Sequence, residues 1–258
     1  HREHLGRTKR RILAEKLGIV REGTPLAAQL ASRALVAQAA EWCARAGAPF
    51  HSVGEETSTS LVELSPERMS VRVRTRRRDY GVLETRMIGR AQMRNLATAV
   101  TALELFQKAG HAPRIDAAAL RRGISSAFLA GRFQSVASSP RVIIDVSHNE
   151  ESYLAALETL RRISPPERTT IVFGALAHKE LGAFPARSLA AAREIIVTAL
   201  RDPRSASAER LGRDFGGARA HTGMRAGVRI ARGVGDAVRA ARRRSGPLDT
   251  ILIMGSHV

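Results

Sequence analysis

Four short runs govern what this chain can fold into: RVIIDV (141–146), TTIVFGA (169–175), EIIVTA (194–199) and DTILIMG (249–255). Each is rich in β-branched residues and apolar almost throughout, which is how a strand buried on both faces reads. Helical segments separate them: EESYLAALETLRR, KELGAFPARSLAAAR, SAERLGRDF and AGVRIARGVGDAVRAARRR. Strand–helix alternation of this kind means a doubly wound, mostly parallel α/β sheet. Open sheets of that class bind ligands beyond the carboxyl ends of their strands. Polar, small and charged residues gather at all four of those ends: Asp145 to Asn149, Gly174 to Glu180, Arg201 to Ser205, and Gly255-Ser256. One polar loop would mean little, since loops are polar anyway. Four at one edge mark it as functional.

The half before AGRFQ (130–134) has a different rhythm. Residues 5–17 read as a helix after a Leu5-Gly6 turn. Pro25 opens a long helix to about Ala46, with Gly47 as its stop. FHSVG, SVRVRT and YGVLETRMIG alternate like half-exposed strands. AQMRNLATAVTALELFQKAG is a helix ending at Gly110, and Asp116 caps the next one, DAAALRRGISSAF. No βαβ rhythm here closes on itself, and the boundary between the halves falls near Gly131–Ser139.

Composition narrows the function classes. The formal net charge is +18, and almost all of the excess is Arg. Such a charge suits phosphate contacts, the steering of small anions, or simple solvated faces. There are only two Tyr and one Trp, and the arginine runs RTRRRD and RAARRRSG hold no aromatic residue. A base-stacking surface is therefore unsupported, and no nucleic-acid partner is expected. No stretch approaches the ~18–20 apolar residues of a membrane span, so no membrane partner is expected either. The single Cys43 excludes an intramolecular disulfide and a cysteine-rich metal site. It fits a reducing, cytoplasmic compartment, and a monomer is expected.

The motifs, taken together, resemble the folylpolyglutamate synthase/dihydrofolate synthase family of the Mur ligase superfamily. The matching pieces are HREHLGRTKRRILAEKLGI, GRAQMRNLATAVTAL, AGRFQ, VIIDVSHNEESYLAAL, FGALAHKE, DPRSASAERL and DTILIMGS, in the family's order. The resemblance implies two domains: 1–131, part of a central ATP-binding domain, and 132–258, a Rossmann-like C-terminal α/β domain. It also places His1 inside a longer protein, because the family's matching histidine lies deep in the central domain. A phosphate loop of the form G-x-x-x-x-G-K-[ST] is absent from these 258 residues. The family resemblance therefore leads to the expectation of a C-terminal fragment that is inactive alone.

The same resemblance implies roles for individual residues. His1 would help hold Mg²⁺, an awkward ligand for an oxygen-seeking ion. Lys16 matches a lysine that can carry a carbamate and so become an anionic metal ligand, chemistry that burial would favour. Asn95 would sit near the adenine, and shares a helix face with Gln92. Arg132 would reach nucleotide phosphates, and Asp145 would accept hydrogen bonds from the ribose hydroxyls. His148 would touch the nucleotide or an acyl phosphate, and Asn149 would cap the following helix. Lys179 would meet the acidic amino-acid substrate, and Arg204 and Ser205 its carboxylates. Three departures stand out: Ser147 and Glu150 replace the family's Ala and Pro in Asp-x-Ala-His-Asn-Pro, and His178 replaces the first Asp of Asp-Lys-Asp. The implied reaction joins L-glutamate to a pteroate or folate carboxylate, with ATP and Mg²⁺, through an acyl phosphate. Another Mur-like acid–amino-acid ligase is the nearest alternative, and a basic nucleic-acid binder the more distant one.

Overall fold

The computed structural model describes residues 8–110 and 115–256. His1 and His4 lie outside them. The first described helix is α1, Lys9–Leu17, whose N-cap is Thr8; the Thr8 hydroxyl accepts from Arg11 N–H at 3.3 Å. Strand β1, Leu26–Ala28, and helix α2, Arg33–Arg45, follow. The expected helix from Pro25 is thus corrected. Its first part is extended because Leu26–Ala28 pair in parallel with strand β2, Phe50–Ser52. Ser32 then starts α2 by accepting from Leu35 N–H. The expectation of no βαβ unit in this half is corrected with it, since β1, α2 and β2 make one. Gly47 does end α2, in a left-handed conformation at φ 62°.

A single turn, α3 (Val53–Glu56), leads into β3 (Thr57–Leu64), β4 (Met69–Thr75) and β5 (Asp79–Thr85), which form a three-stranded sheet in that order. Strand β4 alternates buried and exposed residues, as SVRVRT predicts. Helix α4, Arg90–Lys108, stops before Gly110, at φ 75°. Helix α5, Ala117–Ser126, is capped by Asp116, whose carboxylate accepts from Ala119 N–H at 2.6 Å.

The remaining elements are β6 (Gln134–Ser138), β7 (Arg141–Asp145), α6 (Glu150–Ile163), β8 (Thr169–Phe173), α7 (Phe184–Leu189), β9 (Glu194–Thr198), α8 (Ala208–Thr222), β10 (Gly227–Ala231), α9 (Val234–Arg243) and β11 (Thr250–Met254). They form a six-stranded sheet in the order β10-β9-β8-β11-β7-β6, parallel except for β6 at the edge. The doubly wound expectation holds, and β10 adds a correction. AGVRIARGVGDAVRAARRR is a strand, then Gly233, then a helix.

Alternate residues of the buried strands feed two cores. Ile143, Ile171, Phe173, Ile195, Val197 and Leu252 pack with α6, α7 and α8. Val142, Val172, Ile196 and Ile251 pack with Ala237 and Ala241 of α9. The handedness of crossovers explains the division. The chain steps outward from β7 to β10 with its helices on one face, then turns back to β11, so the returning helix takes the other face.

By its contacts the chain forms two units. One comprises residues up to Val62 with Ser70–Glu84 and Gln92–Ser125; the other comprises Glu63–Met69, Thr85–Ala91 and Ser126 onward. No helix among the described residues is long and apolar enough to cross a membrane.

Candidate functional site

Five parallel strands end on one edge of the six-stranded sheet, and the candidate residues of the second unit lie in the loops there. The loop at β7 is built around Asp145. Gly131 adopts φ 70°, and a Cβ on it would lie 2.5 Å from Val146 Cγ1. Only glycine lets the 131–134 segment come this close to the end of β7. Val146 N–H donates to Gly131 O at 2.8 Å, and Gly131 N–H donates to the Gln134 side chain at 3.0 Å. Phe133 is buried, with the unusual φ of 49°. Its N–H donates to Asp145 Oδ2 at 2.9 Å. Oδ1 accepts from Ser147 N–H at 2.9 Å and from the Ser147 hydroxyl. The AGRFQ motif is thus a clasp on the end of β7.

These contacts satisfy most of the Asp145 carboxylate from within the chain. Burial holds its pKa above the ordinary carboxylate value, and the Ser147 and Phe133 donors and the charge of Arg132 offset only part of that rise. A carboxylate has about four acceptor positions, so three internal donors leave room for one more.

The neighbouring residues are equally fixed. Asn149 caps α6 in a reciprocal box: its Oδ1 accepts from Ser152 N–H at 2.9 Å, and Ser152 Oγ accepts from Asn149 N–H at 3.2 Å. His148 N–H also donates to Ser152 Oγ, at 3.2 Å, and His148 Nδ1 lies 3.2 Å from Val146 O. A neutral His148 donating from Nδ1 would keep its lone pair on Nε2. Glu150, where the family usually has Pro, reaches the next loop. Its Oε1 accepts from Ala183 N–H at 2.8 Å.

The loops after β8 and β9 interlock. Ala177 N–H donates to Arg204 O at 2.7 Å, Ala206 N–H donates to Ala175 O at 2.9 Å, and Leu176 and Ser205 form an isolated antiparallel bridge. Ser205 is tied within this pair, accepting from Leu200 N–H and donating to Ala206 O, both at 2.8 Å. Arg204 is gripped by Asp202 through Nε at 3.0 Å and Nη2 at 2.8 Å. Half-buried Lys179 forms no ion pair among the described residues. It lines a cleft of about 490 Å³ with His178, Glu180, Arg210 and Asp214. The structure therefore brings Lys179, Arg204 and Ser205 into one pair of loops.

Asp202 yields a pH prediction. The Arg204 guanidinium, then the Arg204 N–H, hold its carboxyl down at about 2. Its folded pKa lies below the unfolded value of ~3.9. The stability it contributes is therefore present above that value and lost as pH falls toward 2. Carbon-13 NMR titration of the side-chain carboxyls should find Asp202 titrating near 2 and moving up in Arg204→Ala. An ordinary carboxyl midpoint in the parent would contradict the pairing.

The first unit holds the remaining candidates. Asn95 donates to Gln92 Oε1 at 2.9 Å across one exposed turn of α4, so the shared face is present. Lys16 is exposed in the last turn of α1, whose buried residues are Leu13 and Leu17. Among the described residues nothing buries it, and burial is what would favour a carbamate. The His1 position lies outside the described residues. Among the described residues no group of three or more His, Cys, Asp or Glu side chains could hold a metal ion.

Sequence reasoning placed Gly255 at this edge but missed its contact with Gly174, and it missed Tyr153 altogether. Gly255 has φ 127°, and a Cβ on it would lie 1.9 Å from Gly174 O. The ends of β8 and β11 thus meet back to back through two glycines. Tyr153 O–H donates to Gly255 O at 3.2 Å from within a cluster with Phe173 and Phe184. The FGA and MGS pieces carried the signal, but nothing in the sequence showed that they touch.

Residues 131–257 match the family model described as Mur ligase, glutamate ligase domain. The dihydrofolate synthase/folylpolyglutamate synthase of Bacillus subtilis is 31% identical over 69% of this chain and 41% of its own length. The Escherichia coli protein of the same name is 30% identical over 69% of this chain and 38% of its own. The chain thus spans about two fifths of the length of these relatives. E. coli FolC in complex with DHPP and ADP superposes with a TM-score of 0.79 at 26% identity, covering 99% of this chain and 56% of that one. Mycobacterium tuberculosis folylpolyglutamate synthase complexed with ADP shares the fold, with a TM-score of 0.78 at 21% identity over 98% of this chain and 58% of that one. Matching motifs, a glutamate ligase domain and the shared fold lead to one conclusion: residues 131–257 are a Mur ligase domain, in a chain similar to the folylpolyglutamate synthase/dihydrofolate synthases.

Proposed function

We propose that this chain belongs to an ATP-dependent ligase joining L-glutamate to the carboxylate of dihydropteroate or a folate, and that the carboxyl edge of its six-stranded sheet handles nucleotide and glutamate. The observation that carries the reading is the set of pinned loops at that edge. Arg132, Asp145 and His148 flank the end of β7, and Lys179 and Arg204 share the interlocked pair after β8 and β9. The names of the relatives and the ADP in the E. coli neighbour support it.

ATP, when bound, supplies the phosphoryl group that turns a carboxylate into an activated acyl group. This chain's residues position and neutralise charge, which is most of what such a transfer asks of a protein. Arg132 offsets phosphate charge, and the spare acceptor position of Asp145 takes a nucleoside hydroxyl. Lys179 and the remaining Nη1 of Arg204 attract the carboxylates of glutamate, whose amine then attacks the activated carbonyl and releases phosphate. Mg²⁺ belongs to this reading through the family resemblance.

Incorporation of labelled L-glutamate, measured in the protein that carries this chain, tests the proposal. ATP-dependent incorporation into dihydropteroate or a reduced folate is expected. Incorporation into other acceptor acids alone would favour a different Mur-like acid–amino-acid ligase. No ATP-dependent incorporation would contradict the proposal.

A further inference from the structure

The opposite edge of the same sheet holds a second concentration of charge. A cleft of about 840 Å³ opens where β9 and β10 begin, lined by Arg193, Arg219, Arg229, Arg243 and Arg244, with Glu194 as the one acidic residue. Glu194 and Gly227 are the first residues of β9 and β10 and pair in register. The strands are parallel, so this edge lies across the sheet from Asp145, at the carboxyl end of β7.

The cleft has a fixed wall. Glu194 is buried and accepts from Arg229 Nε at 2.5 Å and Arg244 Nε at 3.0 Å. Each guanidinium spends its Nε on that carboxylate and keeps its terminal Nη groups for another acceptor. Arg193 is held in turn by Asp249 at 2.9 Å and by Arg244 O at 2.9 Å. Arg219 and Arg243 are exposed, and their side chains form no ion pair among the described residues. Each sits in the last turn of its helix, α8 and α9. The helix dipole explains one cation at each of those ends. Glu194 and Asp249 together offset two of the five guanidinium charges, and the positive excess that remains around the cleft repels itself unless a further anion offsets it.

We propose that this cleft binds a small multivalent anion with adjacent phosphate or carboxylate groups, gripped by Arg219 and Arg243 against the wall formed by Arg229 and Arg244. Guanidinium groups pair with both anion types in a two-pronged geometry. Several of them around one open cleft suit a ligand with several charged groups in a row better than a single one. The cleft lies away from the pinned loops of the carboxyl edge, so its ligand is distinct from the nucleotide and glutamate assigned there.

Isothermal titration of the 258-residue chain with inorganic tripolyphosphate, and separately with tetra-L-glutamate, tests the assignment. Saturable binding of at least one of them is expected, weakening steeply with added salt. Which of the two binds identifies the ligand as phosphate-bearing or carboxylate-bearing. The double exchange Arg219→Ala and Arg243→Ala should weaken that binding at least tenfold with little change in melting temperature, since both side chains are exposed and form no ion pair among the described residues. If the double variant melts early, the single exchange Arg219→Glu serves the same purpose and should also weaken binding. Equal affinity in these variants, or binding of neither anion, would overturn the proposal.

Discussion

Gly255→Ala will lower the melting temperature by roughly 6–12 °C, far more than alanine at an exposed glycine. The added Cβ would lie 1.9 Å from Gly174 O and 3.0 Å from Phe173 Cε2, and the first of these is backbone that cannot swing away. The residue also holds φ 127°, which side chains rarely adopt. Conformational strain costs about 1–3 kcal/mol, and overpacking a tight contact about 1–3 kcal/mol more. A total near ~3 kcal/mol, at about 2–4 °C per kcal/mol for a domain of this size, gives the stated fall. Two further exchanges separate the causes. Gly223 has φ 66° with open space around it, so Gly223→Ala should show strain alone, about 1 kcal/mol. Gly246 has neither a positive φ nor a close neighbour, so Gly246→Ala should stay within about 0.5 kcal/mol of the parent. Three equal melting temperatures would refute the back-to-back packing of β8 and β11.

The strands that were legible from residue order are those buried on both faces, β7, β8, β9 and β11. Burial of both faces leaves no polar alternation to confuse the reading. Strand β10 was not legible because it lies at the sheet edge, where Arg229 and Ile230 are exposed. Its Ala, Val and Arg content runs on into α9. The three-residue β1 was hidden for the same reason: Leu-Ala-Ala favours a helix, and only pairing with β2 makes it extended. At the site, the loops after the strands were readable as a group. Their internal partners were not. That Asp202 occupies Arg204, that Phe133 serves Asp145 and that Glu150 reaches Ala183 are facts of three-dimensional proximity that residue order does not carry.

Asp145→Asn should damage both the fold of its loop and the use of ATP. The carboxylate accepts from Phe133 N–H through one oxygen and from Ser147 N–H through the other, both at 2.9 Å. An amide keeps one oxygen and turns an NH₂ group toward the other donor. Leaving one of these donors without an acceptor costs about 1–3 kcal/mol, a fall of roughly 2–12 °C. Arg132 also loses the negative charge beside it. The proposed nucleoside hydroxyl loses a charged acceptor. Weakening or losing hydrogen bonds of this strength should lower kcat/KM for ATP by roughly 10–10³-fold, since each ~1.4 kcal/mol is tenfold. This loss belongs to the folded variant, so activity must be read well below its melting temperature.

Under the proposed function one sheet edge serves two substrates through separate loops. Steady-state kinetics of Asp145→Asn and Lys179→Ala, with ATP and L-glutamate each varied in the protein that carries this chain, separate the two roles. Asp145→Asn is predicted to lower kcat/KM for ATP strongly while the KM for glutamate moves little. Lys179→Ala, which disturbs no ion pair among the described residues, is predicted to do the reverse, raising the KM for glutamate about tenfold or more. Parent-like kinetics in both folded variants, or identical losses toward both substrates, would contradict the account.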